Sequence, residues 1–353
     1  SRRPLESSRS SVDFQIGAAT SLIFRMSTTI PWNSRLFRRI CESWWQFSKS
    51  FLVAIGASIG FLICVSNTFS AMARVFWTDC ADHWLAVWTF IRLNFSSTTS
   101  QVCGSFLIAF FHFWTLSAIF LFIEFKKQRQ FSRFKVQDGT NTPLDCKKLQ
   151  KALLVVSFNQ LITIPMFFIL FKMIDDKYSM ASELPTFFRM IYEIVIFTIL
   201  EEFGFYYSHR LFHYPPLYKR FHKLHHEWKA PIAVTSLYAH PVEHLINNVT
   251  PLMVGPIILQ SHLMVFWVWL SLATFTSIIS HSGYHLPFLS SPEKHDYHHL
   301  VFNENFGLLG FLDYFHGTDV NFRKSKQSEL HRIFYSDTYD EVRIRKSTHS
   351  KKM

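Results

Sequence analysis

Four stretches of this chain stay apolar for about 20 residues, the length an α-helix needs to cross the hydrocarbon core of a bilayer. They run from about Phe51 to Ala71, from Ser105 to Phe125, from Ala152 to Met173 and from Phe187 to Tyr207. Inside a bilayer a backbone must satisfy its own polar groups, so such stretches restrict the fold to membrane helices. Composition agrees: of 353 residues, 49% are hydrophobic and 17% charged. Soluble domains average roughly 25% charged residues. A disordered chain and an ordinary soluble enzyme are thereby excluded. The cysteines, Cys41, Cys64, Cys80, Cys103 and Cys146, are scattered without CxxC spacing, which excludes a disulfide framework and a thiolate zinc site.

The third stretch carries Pro165, which a membrane helix tolerates as a kink. The fourth ends in Glu201 and Glu202, so its last turns must face protein rather than lipid. The formal charge of +11 is read as membrane topology rather than nucleic-acid binding. Lys126, Lys127, Arg129, Arg133, Lys135, Lys147, Lys148 and Lys151 lie between the second and third stretches, and Arg35, Arg38, Arg39 and Lys49 precede the first. The intervening loops hold few cations. The positive-inside rule puts both basic segments, and everything after residue 208, in the cytosol. A sequon at Asn94 then falls in a lumenal loop and one at Asn248 on the cytosolic side.

A further apolar block spans residues 245–280, broken near Gln260, Ser261 and His262. Either two crossings or a re-entrant hairpin returns the chain to the side it left. Trp77, Trp84, Trp88 and Ile91 share one face at helical spacing, the pattern of an interfacial helix. The expected fold is an all-α integral membrane protein. It has about four transmembrane helices, a cytosolic helical domain rich in histidine, and this hairpin. The divisions expected are 1–47 (polar and basic), 48–208 (membrane helices and loops), 209–320 (the histidine-rich catalytic part) and 321–353 (a polar tail). Residues 1–35, rich in Ser and Arg, read as a disordered tail rather than a transit leader, with Met26 a candidate natural start.

The 18 histidines are clustered. His209 and His213 stand at i and i+4. His222, His225 and His226 stand at i, i+3 and i+4. His281 with His285, and His295 with His298 and His299, repeat the two spacings. On a helix such residues share a face, so each cluster aims its imidazoles at one point. Neutral imidazole ligates iron, zinc and copper. Ten imidazoles exceed what one metal uses, and two metals with about five each is the economical count. An all-nitrogen set without thiolate suggests redox or oxygen chemistry over a structural clip, while spacing alone leaves zinc open.

Other groups are weighed beside these. Glu202, seven residues before His209, either orients a ligand histidine or pairs with Arg210 or Lys219. Asp296 lies on the far side of its cluster. His240 and His244 are again i and i+4 and read as pocket residues behind the ligands, and His316, flanked by Asp313 and Asp319, is a weaker candidate for the same work. His83, His112, His262, His331 and His349 are isolated and read as structural.

The spacing HxxxH, HxxHH, HxxxH, HxxHH after membrane helices resembles the fatty acid hydroxylase superfamily of membrane di-iron enzymes. The segments from Tyr207 to His213, His222 to Pro231, Leu237 to Glu243, Gly283 to Leu289, His295 to His299 and Gly317 to Asp319 are similar to its sterol C4-methyl oxidase branch. The resemblance covers roughly residues 190–320. It implies that His209, His213, His222, His225, His226, His281, His285, His295, His298 and His299 hold two iron ions. It further implies O2 as oxidant and electrons from NAD(P)H through cytochrome b5 and its reductase. The location implied is the endoplasmic reticulum membrane, with the histidines cytosolic and a lipid substrate entering from the bilayer. One departure stands out: where that branch reads Ala-Glu-Tyr-Ala-His-Pro, this chain has Leu237 at the carboxylate position.

The expected function is an O2-dependent di-iron lipid oxygenase acting on a C–H bond, with a sterol-like substrate favoured. The alternatives are a fatty acyl or sphingolipid hydroxylase or desaturase, and a non-catalytic metal- or lipid-binding protein acting through partners. A zinc hydrolase is disfavoured, because no HExxH and no nucleophile triad order is present.

Overall fold

The computed structural model describes residues 72–126, 129–141, 143–336 and 339. The first expected membrane stretch, the basic segment before it, and His349 lie outside these residues. Among the described residues the protein is all-helical, with a single isolated bridge between Lys135 and Tyr284.

Among the described residues seven longer helices make the frame: α1 (Met72–Asn94), α2 (Ser105–Lys126), α3 (Cys146–Phe171), α4 (Phe187–Phe212), α5 (Thr250–Leu259), α6 (Leu263–His281) and α7 (Glu293–Val301). Their ends follow local chemistry. Asp145 caps α3 by accepting from the amides of Lys147 and Lys148, and Thr186 caps α4 through Arg189 N–H. The α5–α6 break comes at Gln260, whose left-handed backbone (φ 49°) ends α5, and His262 Nδ1 then caps α6.

This is a helical membrane protein. Among the described residues three helices are long and apolar enough to cross a membrane: α2 with its preceding π-turn (Thr99–Lys126), α3 and α6. The expected fourth stretch forms α4, which carries Arg189, Glu193, Glu201 and Glu202 and is too charged to join that group. The 245–280 block is a hairpin of unequal arms, the 10-residue α5 and the 19-residue α6.

Packing is set by large apolar side chains meeting small residues. Gly255 of α5 lies against Phe197 of α4, and Gly204 of α4 against Pro251. The Trp267 ring of α6 covers Gly104 at the head of α2. Phe167, Phe171 and Phe266 stack edge to face between α3 and α6.

The aromatic face expected of α1 does not sit at an interface as a whole. Trp84 is 52% exposed, but Trp88 is fully buried. Its indole donates to Ala181 O (2.8 Å) and packs on His262 (4.7 Å between ring centres). A buried indole takes a fixed partner rather than a lipid headgroup. The Trp77 side chain lies outside the description.

The α2–α3 connection and the basic first turns of α3 pack against the histidine-bearing segments. Lys151 Nζ pairs with Glu227 (2.8 Å), and Lys148 Nζ sits 4.1 Å from the Trp228 ring centre. Gln137 donates to Asp296 (3.0 Å), and Phe134 O accepts from His285 N–H (2.8 Å). These basic residues and the histidines therefore occupy one end of the bundle.

Candidate metal centre

The clustered histidines converge from four elements. His209 and His213 come from the C-terminal turn of α4, and His281 from the last residue of α6. His295, His298 and His299 come from α7. His222, His225 and His226 sit on a 3-10 turn, His222–Glu227, rather than an α-helix. Two nests result. His209, His213, His222, His226 and His298 place one donor atom each within 4.8 Å of one another, and so do His225, His281, His295 and His299. The split is five and four rather than five and five.

Of the ten expected ligands, His285 is the one that stands apart from both nests. Its Nδ1 faces Glu293 Oε1 (3.2 Å) and its Nε2 faces Arg332 O (2.9 Å). With both ring nitrogens engaged, neither is available to a metal.

Backbone carbonyls orient most of the nine rings. Nδ1–H donates to Phe306 O from His209 (2.8 Å), to Tyr238 O from His225 (3.1 Å) and to Ser277 O from His281 (2.9 Å). His298 donates in the same way to Glu304 O (2.7 Å) and His299 to Trp228 O (3.0 Å). His222 instead donates to Glu243 Oε1 (2.7 Å). A carbonyl cannot donate, so the five rings held by carbonyls keep their proton on Nδ1 and turn the Nε2 lone pair inward, as does His222 when the Glu243 carboxyl is ionised.

That arrangement tests whether metal fits. In the first nest, Nε2 of His209 lies 3.2 Å from Nε2 of His222. In the second, Nε2 of His281 lies 3.4 Å from that of His225. Both members of the second pair present lone pairs, with no proton between them, as do both members of the first when Glu243 is ionised, and His298 Nε2 is buried with no hydrogen-bond partner. Metal–nitrogen bonds of about 2.1 Å give ligand–ligand edges of about 3.0 Å in an octahedron and about 3.4 Å in a tetrahedron. The other contacts, His226 to His222 (3.0 Å), His295 to His281 (2.9 Å) and His299 to His295 (3.2 Å), fall in or near that range. A cation in each nest removes the repulsion.

Burial also prepares the imidazoles for ligation. It pushes His225 down to about 4, and it pushes His213 down to about 2, helped by neighbouring imidazoles. His226 and His298 are lowered well below their usual value for the same reasons. At neutral pH these rings are uncharged, the form that binds metal.

The remaining candidates take other places. Glu202 neither orients a histidine directly nor pairs with Arg210 or Lys219. Its carboxylate accepts from the amides of Leu308 (2.7 Å), Leu309 (2.8 Å) and Gly310 (3.3 Å), pinning the loop that begins at Phe306. Asp313 holds the same loop through Phe306 N–H and Gly307 N–H, and Lys294 neutralises it (2.7 Å). His244 meets Thr163 Oγ1 (2.9 Å), His240 Nδ1 accepts from Val242 N–H, and His316 Nε2 meets the Tyr207 hydroxyl (3.1 Å). None of the three joins a nest. Glu243 was not singled out from the sequence. The available signal was a carboxylate inside the His240–His244 group.

Both nests open onto one cavity of about 590 Å³. His209, His222, His225, His281 and His295 line its head, and Phe106, Phe110, Phe167, Trp269 and Leu270 line its walls between the long helices. Leu237 also faces it, so the position where the resemblance expects a carboxylate contributes an apolar wall.

Residues 194–318, the stretch that carries all nine nest histidines, match the fatty acid hydroxylase family. Fatty acid hydroxylase domain-containing protein 2 of Homo sapiens is 40% identical over 299 residues, covering 83% of this chain and 90% of that protein. The chain belongs to the fatty acid hydroxylase family. Methylsterol monooxygenase 2-2 of Arabidopsis thaliana is 31% identical over 252 residues (68% of this chain, 93% of that protein). Very-long-chain aldehyde decarbonylase GL1-8 of Oryza sativa subsp. indica is 31% identical over 259 residues (69% and 94%). No solved structure matches. Membership makes this fatty acid hydroxylase homologue a membrane oxidoreductase of the lipid hydroxylase and oxygenase kind.

Proposed function

We propose that this family member is a dimetal lipid oxygenase using O2, with iron in both nests and a sterol-like lipid as substrate. The observation that carries the reading is the pair of inward-facing Nε2 sets at the head of an apolar cavity. His209, His213, His222, His226 and His298 would hold one ion, and His225, His281, His295 and His299 the other. Iron bound there supplies the redox chemistry that oxidises a C–H bond with O2. The chain supplies the rest. Carbonyls and Glu243 lock ring orientation, the aromatic walls exclude water, and the cavity holds the lipid's apolar body beside the nests. The smaller nest has one protein ligand fewer, which leaves room for an exogenous ligand.

The sterol-like preference is supported by the similarity to a protein named methylsterol monooxygenase. Electrons would come from NAD(P)H through cytochrome b5 and its reductase, in the endoplasmic reticulum. The contact of the basic first turns of α3 with the histidine segments supports a cytosolic nest, because the positive-inside rule puts that basic segment in the cytosol.

The deciding experiment is a lipid profile of microsomes given NADH and 18O2, with wild-type protein and His298→Ala. A lipid that gains label only with wild type identifies reaction and substrate together. Equal products from both proteins, or under argon, would overturn the reading.

A further inference from the structure

Glutamates inside the bundle have partners with one exception. Glu124 takes Lys135 and the Tyr284 hydroxyl, Glu193 takes Arg189 (2.7 Å), Glu202 takes three amides, and Glu243 takes His222. Glu201 has neither a hydrogen bond nor an ion pair among the described residues, and its side chain lines the cavity. Lys294, the cation that also lines the cavity, is committed to Asp313 and Gly307 O. An unpartnered carboxyl in apolar surroundings is costly, and inside a membrane protein it marks a site that a ligand completes.

Its place on α4 says what that ligand reaches. Ile194, Thr198, Glu201, Phe205 and His209 all line the cavity, so one stripe of α4 runs from the helix bundle to the first nest. Glu201 precedes His209 by eight residues, about 12 Å along the helix axis. Thr198 Oγ1 is already spent on Ile194 O (2.8 Å). The carboxyl is therefore the free polar group on this stripe of α4 ahead of His209.

We propose that Glu201 is a positioning residue that accepts a hydrogen bond from a hydroxyl of the lipid substrate. Resting on the oxygenase reading for its consequence, this places the reacting carbon up to about 12 Å from the hydroxyl that Glu201 holds. A sterol alcohol and a long-chain alcohol share this chemistry. A site that binds a hydroxyl rejects the analogue lacking it, because its own buried acceptor is then left unpaired.

The test uses the full chain in lipid nanodiscs, as wild type, Glu201→Leu and Glu201→Gln. The probes are a 4-methylsterol, a long-chain primary alcohol, and the methyl ether of each. Binding and bound metal are both measured. Wild type should bind at least one free alcohol about three- to tenfold more tightly than its ether, the margin of one hydrogen bond. Glu201→Leu should erase that preference with metal content unchanged, and Glu201→Gln should keep part of it. The alcohol that shows the preference names the source. Equal binding of alcohol and ether by wild type, or an intact preference in Glu201→Leu, overturns the proposal. Should Glu201→Leu not fold, the wild-type comparison and the Gln variant still decide. Selective binding without any lipid turnover would remove the oxygenase reading and leave the positioning role standing.

Discussion

The Nδ1–H of His222 donates to Glu243 Oε1 at 2.7 Å, and Glu243 is 2% exposed. This is the one ring of the first nest that a carboxylate, rather than a backbone carbonyl, is seen to orient. A carboxylate behind a ligand histidine fixes its tautomer and raises its basicity. Glu243→Ala should lower metal affinity about 10- to 100-fold, the usual effect of removing such a partner. Metal analysis of the purified variant checks this, and Glu243→Gln, which keeps an acceptor oxygen, should lose less. Wild-type metal affinity in Glu243→Ala would contradict the assignment.

His285 and His298 belong to successive histidine clusters and should behave oppositely. His298→Ala removes an inward Nε2 and should empty or weaken the first nest. His285→Ala should keep full metal content. It should still cost about 1–3 kcal/mol of stability, because Glu293 and Arg332 O each lose a buried partner. Metal stoichiometry and thermal unfolding of the two variants, measured side by side, separate ligand from scaffold. Metal loss in His285→Ala would restore it to the ligand set.

Acid should destabilise the metal-free protein. Burial lowers His225 to about 4, below the value near 6.5 of an unfolded chain. Between those two values the unfolded state binds a proton that the folded state does not, so stability falls as pH drops from about 6.5 towards 4. For a single such imidazole the loss at pH 5 is about 2 kcal/mol. Unfolding of chelator-treated protein at pH 7.5 and pH 5 reads this directly. Metal-loaded protein should resist until protons displace the ions. An unfolding temperature independent of pH in the metal-free form would show that the rings are not buried as described.

Gly307 has no space for a side chain. A Cβ there would lie 2.6 Å from Glu202 Oε1 and 3.1 Å from Asp313 Oδ2. Both carboxylates hold the loop whose Phe306 O orients His209. Gly307→Ala should therefore cost about 1–3 kcal/mol of stability. It should also weaken metal binding in the first nest more than in the second. Partial metal occupancy with one site lost is the expected pattern, and full occupancy of both would show that the loop yields without disturbing His209.

Much of this was legible in the chain. The apolar lengths specify membrane helices because only a helix satisfies its backbone locally. The histidine spacing specifies shared faces because i, i+3 and i+4 are neighbours on one helix. On α4 His209 and His213 enter one nest, and on α7 so do His295 and His299, but His298, three residues from His295 on the same helix, enters the other. The spacing rule fails again where the local structure is not an α-helix. Residues 222–227 form a 3-10 turn, and its neighbours His225 and His226 go to different nests. His281 and His285 share a spacing but no helix, since α6 ends at His281 and Gly283 turns the chain at φ 74°.

The sequence by itself determined the class of protein and pointed to all nine histidines gathered in the nests, because each follows from residue type and local period. Only the tertiary structure decided which histidines share a nest, that His285 stands outside, that Glu243 backs His222, and that Glu201 is left free in the cavity wall. Those facts depend on contacts between segments far apart in the chain, such as Glu202 with the 308–310 amides and His299 with Trp228 O. Helical periodicity relates residues only within one element, and the partner of a buried polar group is chosen by whichever element packs against it.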